Sequence, residues 1–384
     1  MNAARFLLSG RLLLSCILAI SLAACIVPTA LPSTPTPAST STVVEPTAEV
    51  PTQTVTPEAT ATEAAPTVTA TVEQGEAPVI SRENLSGLSQ RVIAVPEMVA
   101  NFLWPDETVP LPGAPDPRPD LLLQAGPVLH PILLDPIGLG QPLALPLNGT
   151  EALAFAPNAT SMVIRDPSRT ALFRLDGPII RELPKPANLY GASFSIDGRY
   201  LVLTSADTWE ANVYDLAADP TSEPVTLTGF ETAAPVYGVD AAPGGQLIAW
   251  HARATLHLQD VASGQMGAKL SYEDFITDFA FSPDGSKLAL SAGGFLYLYS
   301  LPDAAEIAKI TLSGPLSTLG WSPDGSLLAG GYAGGLSIWD GGTLEPLISL
   351  PGPNTFTGSV AFSPDGRYIV SMHDNHLFGV WRTQ

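Results

Sequence analysis

The sequence has few cations and almost no cysteine. Its 384 residues include 17 Lys and Arg against 37 Asp and Glu, a net charge of −20, and only 2 Cys. Binding to nucleic acid and electrostatic attachment to an anionic membrane both need clustered cations. The composition therefore argues against a nucleic-acid partner and against a polybasic membrane-binding surface. Two Cys also cannot build a disulfide framework.

Residues that break helices are abundant by contrast. The chain has 33 Gly and 38 Pro, and both residue types destabilise the interior of an α-helix. Charged residues make up only 14% of the sequence. The length allows two or three ordinary domains or one large repeat domain. Together these features predict an acidic, turn-rich, all-β protein.

The first 24 residues have the pattern of a secretory signal peptide. Arg5 and Arg11 supply positive charge, and a mostly apolar run extends from Leu12 to Ala24. This run is shorter than the roughly 20 apolar residues that a membrane-spanning helix needs. A positive region followed by a short apolar region is typical of an export signal. We therefore predict that residues 1–24 are removed from the mature protein.

The apolar run ends in Leu22-Ala23-Ala24-Cys25, which resembles the lipobox of bacterial lipoproteins. The resemblance implies that Cys25 is the lipidated first residue of the mature chain. Two or three acyl chains anchor a protein stably, whereas a single chain does so only marginally. The implied location is the extracytoplasmic side of the bacterial cell membrane, with the lipid on Cys25 as the membrane contact. An ordinary cleaved signal with an Ala-x-Ala end is the alternative interpretation.

Residues 25–80 are predicted to form a disordered stalk. The segment from 26 to 80 is rich in Thr, Pro, Ala, Val and Glu and contains no Lys, Arg or aromatic residue. Such a composition cannot bury enough apolar surface to offset the entropy lost on ordering. Frequent Pro favours an extended polyproline II conformation, and like charges extend the chain further. We expect a spacer between the membrane and a folded domain, with featureless disorder as the alternative.

A repeat of about forty residues follows. Three copies of the motif are Phe281-Ser-Pro-Asp-Gly, Trp321-Ser-Pro-Asp-Gly and Phe362-Ser-Pro-Asp-Gly, and looser copies begin at Phe155, Phe194 and Ala241. The Pro position of the motif falls at residues 157, 196, 243, 283, 323 and 364, in steps of 39, 47, 40, 40 and 41. This regular spacing indicates a repeat architecture.

The motif has the chemistry of a turn between two strands. Ser, Pro, Asp and Gly at successive positions suit a type I turn that ends in a Gly with positive φ, which connects antiparallel strands. A short apolar strand, a Gly-rich turn and two more strands complete each repeat, and four strands in about 40 residues make one propeller blade. The turn residues to which we assign this structural role are Pro157, Asp197, Pro283, Asp284, Pro323, Asp324, Pro364 and Asp365.

Residues from about 90 to 384 resemble the WD40-like β-propeller family. Trp339-Asp340 matches the signature dipeptide at the end of the third strand, and Tyr214-Asp215 is a weaker counterpart. Leu134-Asp135 is a further candidate. No repeat has the Gly-His pair that opens many WD40 repeats, so the family's buried His/Ser/Asp/Trp network is not mapped onto this sequence. The resemblance implies that residues 81–384 form a propeller of four-stranded blades.

The number of blades is six or seven. The last copy stops at Trp381-Arg382-Thr383-Gln384, after its third strand, so its fourth strand must come from the N-terminal side of the chain. If residues 141–147 supply that strand, the ring has six blades. If residues 120–124, 128–135 and 141–147 instead belong to an additional first blade, Arg91–Val95 would close a ring of seven. We favour seven, since Pro117 lies 40 residues before Pro157.

No catalytic motif accompanies the repeat. The sequence has no Gly-x-Ser-x-Gly elbow, P-loop or dinucleotide-binding fingerprint. The run from His373 to His376 is the only cluster that resembles metal ligands, and we predict a solvated turn there. The aromatic residues of the motif, such as Phe155, are predicted to pack between blades. We therefore expect no enzyme activity, no metal and no cofactor.

The function that this sequence favours is a binding or assembly platform. A ring of blades exposes loops on two faces and a central channel, which suits a protein or glycan partner. The alternatives are a propeller enzyme, such as a metal-dependent hydrolase or lactonase, and a sugar or small-molecule binder that uses the channel. These assignments come from the fold, and a fold alone does not define a function.

Overall fold

The structure is a computed structural model that describes residues 78–95, 101–105, 111, 117–125, 128–145, 151–165, 170–175, 179–183, 189–205, 210–219, 221–228, 238–352, 357–373 and 377–383. The predicted signal peptide (1–24), Cys25 and all but the last residues of the predicted stalk lie outside the described residues. The described chain contains one short 3-10 helix, Leu85–Gly87, and 29 strands. None of its helices is long and apolar enough to cross a membrane.

The strands form seven antiparallel sheets, which we call blades 1 to 7. Blade 1 contains β2 (Asn101–Leu103), β3 (Leu121–Ala125), β4 (Val128–Leu134), β5 (Ile137–Leu139) and β6 (Leu143–Ala144). Blade 2 contains β7 (Glu151–Phe155), β8 (Ser161–Arg165), β9 (Thr170–Arg174) and β10 (Ile179–Leu183). Blade 3 contains β11 (Leu189–Phe194), β12 (Tyr200–Ser205), β13 (Ala211–Asp215) and β14 (Val225–Leu227).

The remaining blades follow the same order. Blade 4 contains β15 (Gly238–Ala241), β16 (Leu247–Ala252), β17 (Thr255–Asp260) and β18 (Met266–Ser271). Blade 5 contains β19 (Ile276–Phe281), β20 (Lys287–Ala292), β21 (Phe295–Ser300) and β22 (Ala305–Thr311). Blade 6 contains β23 (Thr318–Trp321), β24 (Leu327–Tyr332), β25 (Gly335–Asp340) and β26 (Pro346–Pro351). Blade 7 contains β27 (Thr357–Phe362), β28 (Tyr368–His373) and β29 (Leu377–Thr383), together with β1 (Leu88–Ala94).

The N-terminal strand β1 completes blade 7. It pairs antiparallel with β29 over its whole length, from Leu88 opposite Thr383 to Ala94 opposite Leu377. The prediction of a seven-bladed propeller closed by the segment near Arg91 is therefore confirmed. The six-blade alternative is wrong, because β6 pairs with β4 inside blade 1 and so does not reach the last blade.

Blade 1 departs from the sequence-based description in two places. Its innermost strand β2 was not predicted, because it is only three residues long and a long segment without the motif separates it from β3. The single strand predicted over 141–147 is instead β6, a two-residue strand, and the separate short strand β5 lies before it. Pro117 keeps its predicted register, since β3 begins four residues later, as β8 does after Pro157.

The position of a strand in its blade determines its burial. Central strands such as β12 and β20 are buried almost along their whole length, because neighbouring blades cover both of their faces. Outer strands such as β18 and β22 alternate between exposed and partly buried residues. Strands covered on both faces are expected to be continuously apolar, and strands covered on one face to alternate.

Seven apolar clusters hold the ring together, and each joins two consecutive blades. One cluster packs Leu121 and Ile132 of blade 1 against Val370 and Phe378 of blade 7, which closes the circle. The other six join blades 1 and 2, 2 and 3, 3 and 4, 4 and 5, 5 and 6, and 6 and 7. Each blade therefore buries its apolar faces against its neighbours, as in other repeat proteins.

Candidate functional site

In blades 2 to 7 the motif turn directly follows the innermost strand. In the turn that contains Pro283 and Asp284, the backbone N–H of Gly285 donates to the Ser282 carbonyl at 2.9 Å, and Gly285 has φ +70°. A positive φ at this position is readily adopted only by Gly, so the local sequence selects this turn. The turns with Pro323–Asp324 and Pro364–Asp365 repeat this geometry, and so does the turn with Asp197. Pro157 lies in a variant in which Ala159 takes the positive φ.

In blades 3, 5, 6 and 7 the Asp of the motif organises its own turn. Asp284 accepts hydrogen bonds from Ser282 Oγ at 2.6 Å, from the Ser286 N–H at 3.0 Å and from Ser286 Oγ at 2.7 Å. These hydrogen bonds lower the pKa of Asp284 to about 2, and the bond from Ser282 has the largest effect. A carboxylate held by several donors favours its charged form. The turn therefore carries a fixed negative charge at neutral pH.

Neighbouring turns contact one another across the blade boundaries. Asp197 Oδ2 accepts a hydrogen bond of 3.1 Å from the backbone N–H of Gly244 in the turn of the next blade. A Cβ on Gly285 would lie 3.3 Å from the Pro243 carbonyl oxygen, and one on Gly325 would lie 3.7 Å from the Pro283 ring. The turns of blades 2 to 7 are thus linked one to the next, and together they form what we call the turn ring.

A cavity of about 630 Å³ lies inside the turn ring. The innermost strands of all seven blades contribute to its lining: β2, β7, β11, β15, β19, β23 and β27. Each of these is the end strand of its sheet, so one of its edges is not paired within that sheet. The cavity therefore occupies the axis of the propeller.

The mouth of the cavity at the turn ring is mostly apolar, with the exposed Asp197 as its acidic residue. It is formed by Pro157, Ile196, Pro283, Pro323 and Pro364, and 48% of the Ile196 surface is exposed. Deeper, the motif aromatics contribute to the wall, although each is at least nine-tenths buried and belongs to a cluster between blades. They are Phe155, Phe194, Phe281, Trp321 and Phe362.

The acidic or basic side chains among the described cavity-lining residues are three Asp. Asp240 of blade 4 and Asp278 of blade 5 are buried in its wall, with 6% and 7% of their surfaces exposed. Asp278 Oδ2 accepts a 2.8 Å hydrogen bond from the Leu319 N–H of blade 6. Asp197 is the third acid in the lining, and the described lining residues include no Lys, Arg or His. Sequence reasoning did not single out Asp240 and Asp278, which come from separate blades.

The predicted signature pair Trp339-Asp340 lies at the end of β25, outside the cavity. Trp339 is buried in the cluster between blades 5 and 6. Asp340 Oδ1 accepts hydrogen bonds from the N–H groups of Gly342 and Thr343 at 2.9 and 3.0 Å, so it closes the turn to β26. Burial raises the pKa of Asp340, but these bonds outweigh it and the net shift is downward.

The other two candidate dipeptides, Tyr214-Asp215 and Leu134-Asp135, also lie at the end of the third strand of a blade. Asp215 accepts from the Ala217 N–H at 3.0 Å and pairs with Arg199 at 2.8 Å. Asp135 lies 3.5 Å from Arg382 of blade 7. Asp340 likewise pairs with Arg82 at 3.1 Å, which ties the segment before β1 to blade 6. These carboxylates therefore stabilise turns and blade contacts.

The prediction of a solvated turn at His373 is wrong. β28 continues through His373, which is fully buried. Its Nδ1 lies 3.1 Å from Thr357 Oγ1 and its Nε2 lies 3.0 Å from Ser371 Oγ, which in turn accepts a 2.8 Å hydrogen bond from Trp381 Nε1. Blade 7 thus has a buried Trp–Ser–His–Thr hydrogen-bond network, which the resemblance to WD40 repeats did not predict for this sequence. His376 lies outside the described residues.

Three further His are buried at separate places. His130, His251 and His257 have at most 6% of their surface exposed. Burial lowers the pKa of His251 to about 4, so this ring is neutral at pH 7. Among the residues with described positions, no group of three or more His, Cys, Asp and Glu is arranged to hold a metal ion.

Comparisons with known proteins agree with this geometry. Residues 308–340 and 344–378 match the family model "WD domain, G-beta repeat", WD40. A chain of the crystal structure of the mitotic checkpoint complex is similar in fold, with a TM-score of 0.58 at 15% identity over 86% of this chain and 98% of that one. No curated protein matches the sequence. Two segments of the chain, within blades 5 to 7, therefore match WD40 repeats, and the fold is a seven-bladed propeller similar to that of the checkpoint chain.

Proposed function

We propose that this protein is an extracytoplasmic lipoprotein whose propeller binds a protein partner at the turn ring. The observation that carries the proposal is the cavity on the propeller axis, which opens through an apolar mouth between well-ordered turns. Pockets that combine apolar walls with a few fixed polar groups are typical binding sites. A WD40 propeller is commonly a platform for protein interactions, which is the class of function that this geometry supports.

Rigidity supports a binding role for the turn ring. The motif turns of blades 3, 5, 6 and 7 are each held by a Ser–Asp hydrogen bond, as in Ser322 Oγ to Asp324 at 2.7 Å. Adjacent turns are joined by contacts such as Asp197 to Gly244. Preorganised loops lose little entropy on binding, which favours affinity.

Photo-crosslinking in intact cells tests the proposed partner site. Benzoylphenylalanine placed at Ile196 reports on the mouth, and the same residue at Ile307, which is 44% exposed on the outer strand β22, is the matched control. We expect a discrete protein adduct from position 196 and none from position 307. No adduct at 196, or the same adduct at both positions, would refute the site.

Membrane anchoring is tested separately. The lipobox resemblance implies that Cys25 carries the lipid, so Cys25→Ala should move the protein from the membrane fraction to the soluble extracytoplasmic fraction. Cys16→Ala is the control, since Cys16 lies in the predicted signal peptide. A Cys25→Ala protein that stays in the membrane fraction would refute the anchor and leave the partner site unaffected.

A further inference from the structure

The residues that line the central cavity indicate the chemical class of its ligand. We propose that it receives a Lys or Arg side chain from an extended segment of the protein partner, entering through the turn ring. This inference rests on the proposed function, because it names the part of the partner that occupies the site.

The walls suit the stem of such a side chain. The mouth is apolar, with Ile196, Pro283 and Pro323 at its rim, and the motif aromatics lie behind them. Lys and Arg bury their methylene stems along apolar surface while the charged head group seeks a polar partner. An uncharged apolar ligand would match the rim but would meet carboxylates further in.

The interior suits the charged head group. Asp240 comes from blade 4 and Asp278 from the adjacent blade 5, and both are more than nine-tenths buried in the cavity wall. The Leu319 N–H holds the Asp278 carboxylate in position. A cationic head group next to these two acids favours their ionised form and pairs with it, whereas an anionic ligand such as a phosphate or an acidic glycan would disfavour it. Charge-assisted hydrogen bonds to a carboxylate are among the stronger contacts in proteins.

The mouth adds the same sign of charge. Asp197 is exposed at the rim. Burial raises the pKa of Asp197, but hydrogen bonds from Ser195 Oγ and from the Arg199 and Gly244 N–H groups lower it by more. The net shift of the pKa is downward, so the carboxylate is ionised at neutral pH. The whole chain carries a net charge of −20. A basic segment is therefore attracted before it reaches the cavity.

The strand edges around the cavity favour a peptide over a small cation. Seven end strands converge on the cavity, each with an edge that its own sheet does not pair. Backbone groups along such an edge pair readily with an extended peptide. A free polyamine would use only the carboxylates.

The test uses the purified full-length chain and short fluorescein-labelled peptides. One peptide alternates Lys with Ala, a second has acetyl-lysine at the Lys positions, and a third has Glu there. We expect the Lys peptide alone to bind, with affinity that weakens as salt is raised. Binding of the acetylated or the Glu peptide with equal affinity would overturn the proposal. Binding of spermidine without binding of the Lys peptide would also overturn it.

Matched variants locate the binding in the cavity. Asp240→Asn with Asp278→Asn should weaken binding of the Lys peptide at least about tenfold, since Asn keeps the acceptor for the Leu319 N–H but removes the charge. Asp303→Asn with Glu306→Gln removes the same charge at exposed positions around the start of β22 and should leave the affinity unchanged. Equal affinities for the two double variants would refute the role of the cavity carboxylates.

A second pair of variants does not involve buried residues. Ile196→Lys adds a positive charge at the exposed rim and should weaken binding of the Lys peptide, whereas Ile307→Lys on β22 should not. If Ile196→Lys binds as well as the unmodified chain, the proposed entrance is wrong. If the cellular adduct at position 196 persists in the Asp240→Asn, Asp278→Asn variant, the partner site stands and the cavity chemistry is refuted.

Discussion

Asp197 and Gly244 join the turns of two neighbouring blades through a single hydrogen bond. The Asp197 Oδ2 atom accepts from the Gly244 N–H at 3.1 Å, while Oδ1 accepts from the Arg199 N–H at 3.1 Å and from Ser195 Oγ. One carboxylate therefore fixes its own turn with one oxygen and the next blade with the other. The repeat motif, which is local in sequence, thereby acts between repeats.

Replacing this carboxylate should weaken the blade 3 to blade 4 boundary. We expect Asp197→Ala to lower the free energy of unfolding by about 1–2 kcal/mol, because it leaves three donors without their acceptor. Asp303→Ala, at an exposed turn, should change it by less than about 0.5 kcal/mol. Urea denaturation followed by tryptophan fluorescence measures both. Equal losses for the two variants would contradict an interblade role.

Two adjacent glycines provide a sharper test of the same boundary. Gly244 and Gly245 both have positive φ, +78° and +64°. A Cβ on Gly245 would overlap the ring of Tyr200 in the preceding blade, whereas one on Gly244 would have no heavy atom within 4 Å. Gly245→Ala should therefore destabilise the protein much more than Gly244→Ala, which adds only backbone strain of about 1 kcal/mol. Thermal unfolding distinguishes them, and a reversed order would contradict the packing.

The buried network of blade 7 should respond as a unit. Ser371→Ala removes the oxygen that lies between Trp381 Nε1 and His373 Nε2, and we expect a loss of about 1–3 kcal/mol. Ser337→Ala, whose hydroxyl contacts only Ser349 at the surface, is the matched control. Adding Trp381→Phe to Ser371→Ala should cost less than the sum of the single effects. Strict additivity would mean that the two side chains do not interact.

The stability should also depend on pH through His251. Its pKa is about 4 in the folded chain, against 6.5 in the absence of burial, because burial disfavours the charged ring. The unfolded chain therefore binds the proton first as the pH falls. Stability is highest above pH 6.5, falls between pH 6.5 and 4 by up to about 3 kcal/mol, and levels off below that.

The matched variant for this pH effect is His251→Gln, which has no titrating ring. Its free energy of unfolding, measured by urea titration at several pH values, should fall less over the same interval. Loss of carboxylate bonds such as those of Asp284, whose pKa is about 2, belongs to a lower pH range. An identical pH profile for the variant would contradict the assignment to His251.

Removal of β1 should expose the edge of β29. In a chain that lacks residues 1–94, the strand Leu377–Thr383 stays paired with β28 but loses the partner on its other edge, and unpaired edges promote association. We expect oligomers or aggregates in size-exclusion chromatography with light scattering. A chain that lacks only residues 1–77 retains β1 and should remain monodisperse. A monomeric, stable product of the longer deletion would show that β1 is dispensable.

The sequence predicted the parts of the fold that depend on local turn chemistry. The second strand of every blade begins four residues after the motif position, from Leu121 after Pro117 to Tyr368 after Pro364, because the type I turn has a fixed length. The blade number followed from the same spacing. Closure by the segment near Arg91 followed from the missing fourth strand.

Features that depend on contacts between blades were not predictable from the repeat. β2 has three residues and no motif close to it. Asp240 lies three residues before its motif Pro, whereas Asp278 lies five residues before its own. Because they occupy different positions of the repeat, no single repeat position predicts that both line the cavity. Other blades have a Gly-rich turn at the position of His373, which predicts a turn there. Instead, β28 extends through His373.

The pairing of β1 with β29 has a consequence for how the protein is made. The strand that completes the last sheet is synthesised before every other strand of the propeller, and its partner β29 is synthesised after the other strands of the ring. The circle can therefore close only once β29 has been made, and a nascent chain that lacks β29 keeps an open seam between its first and last blades.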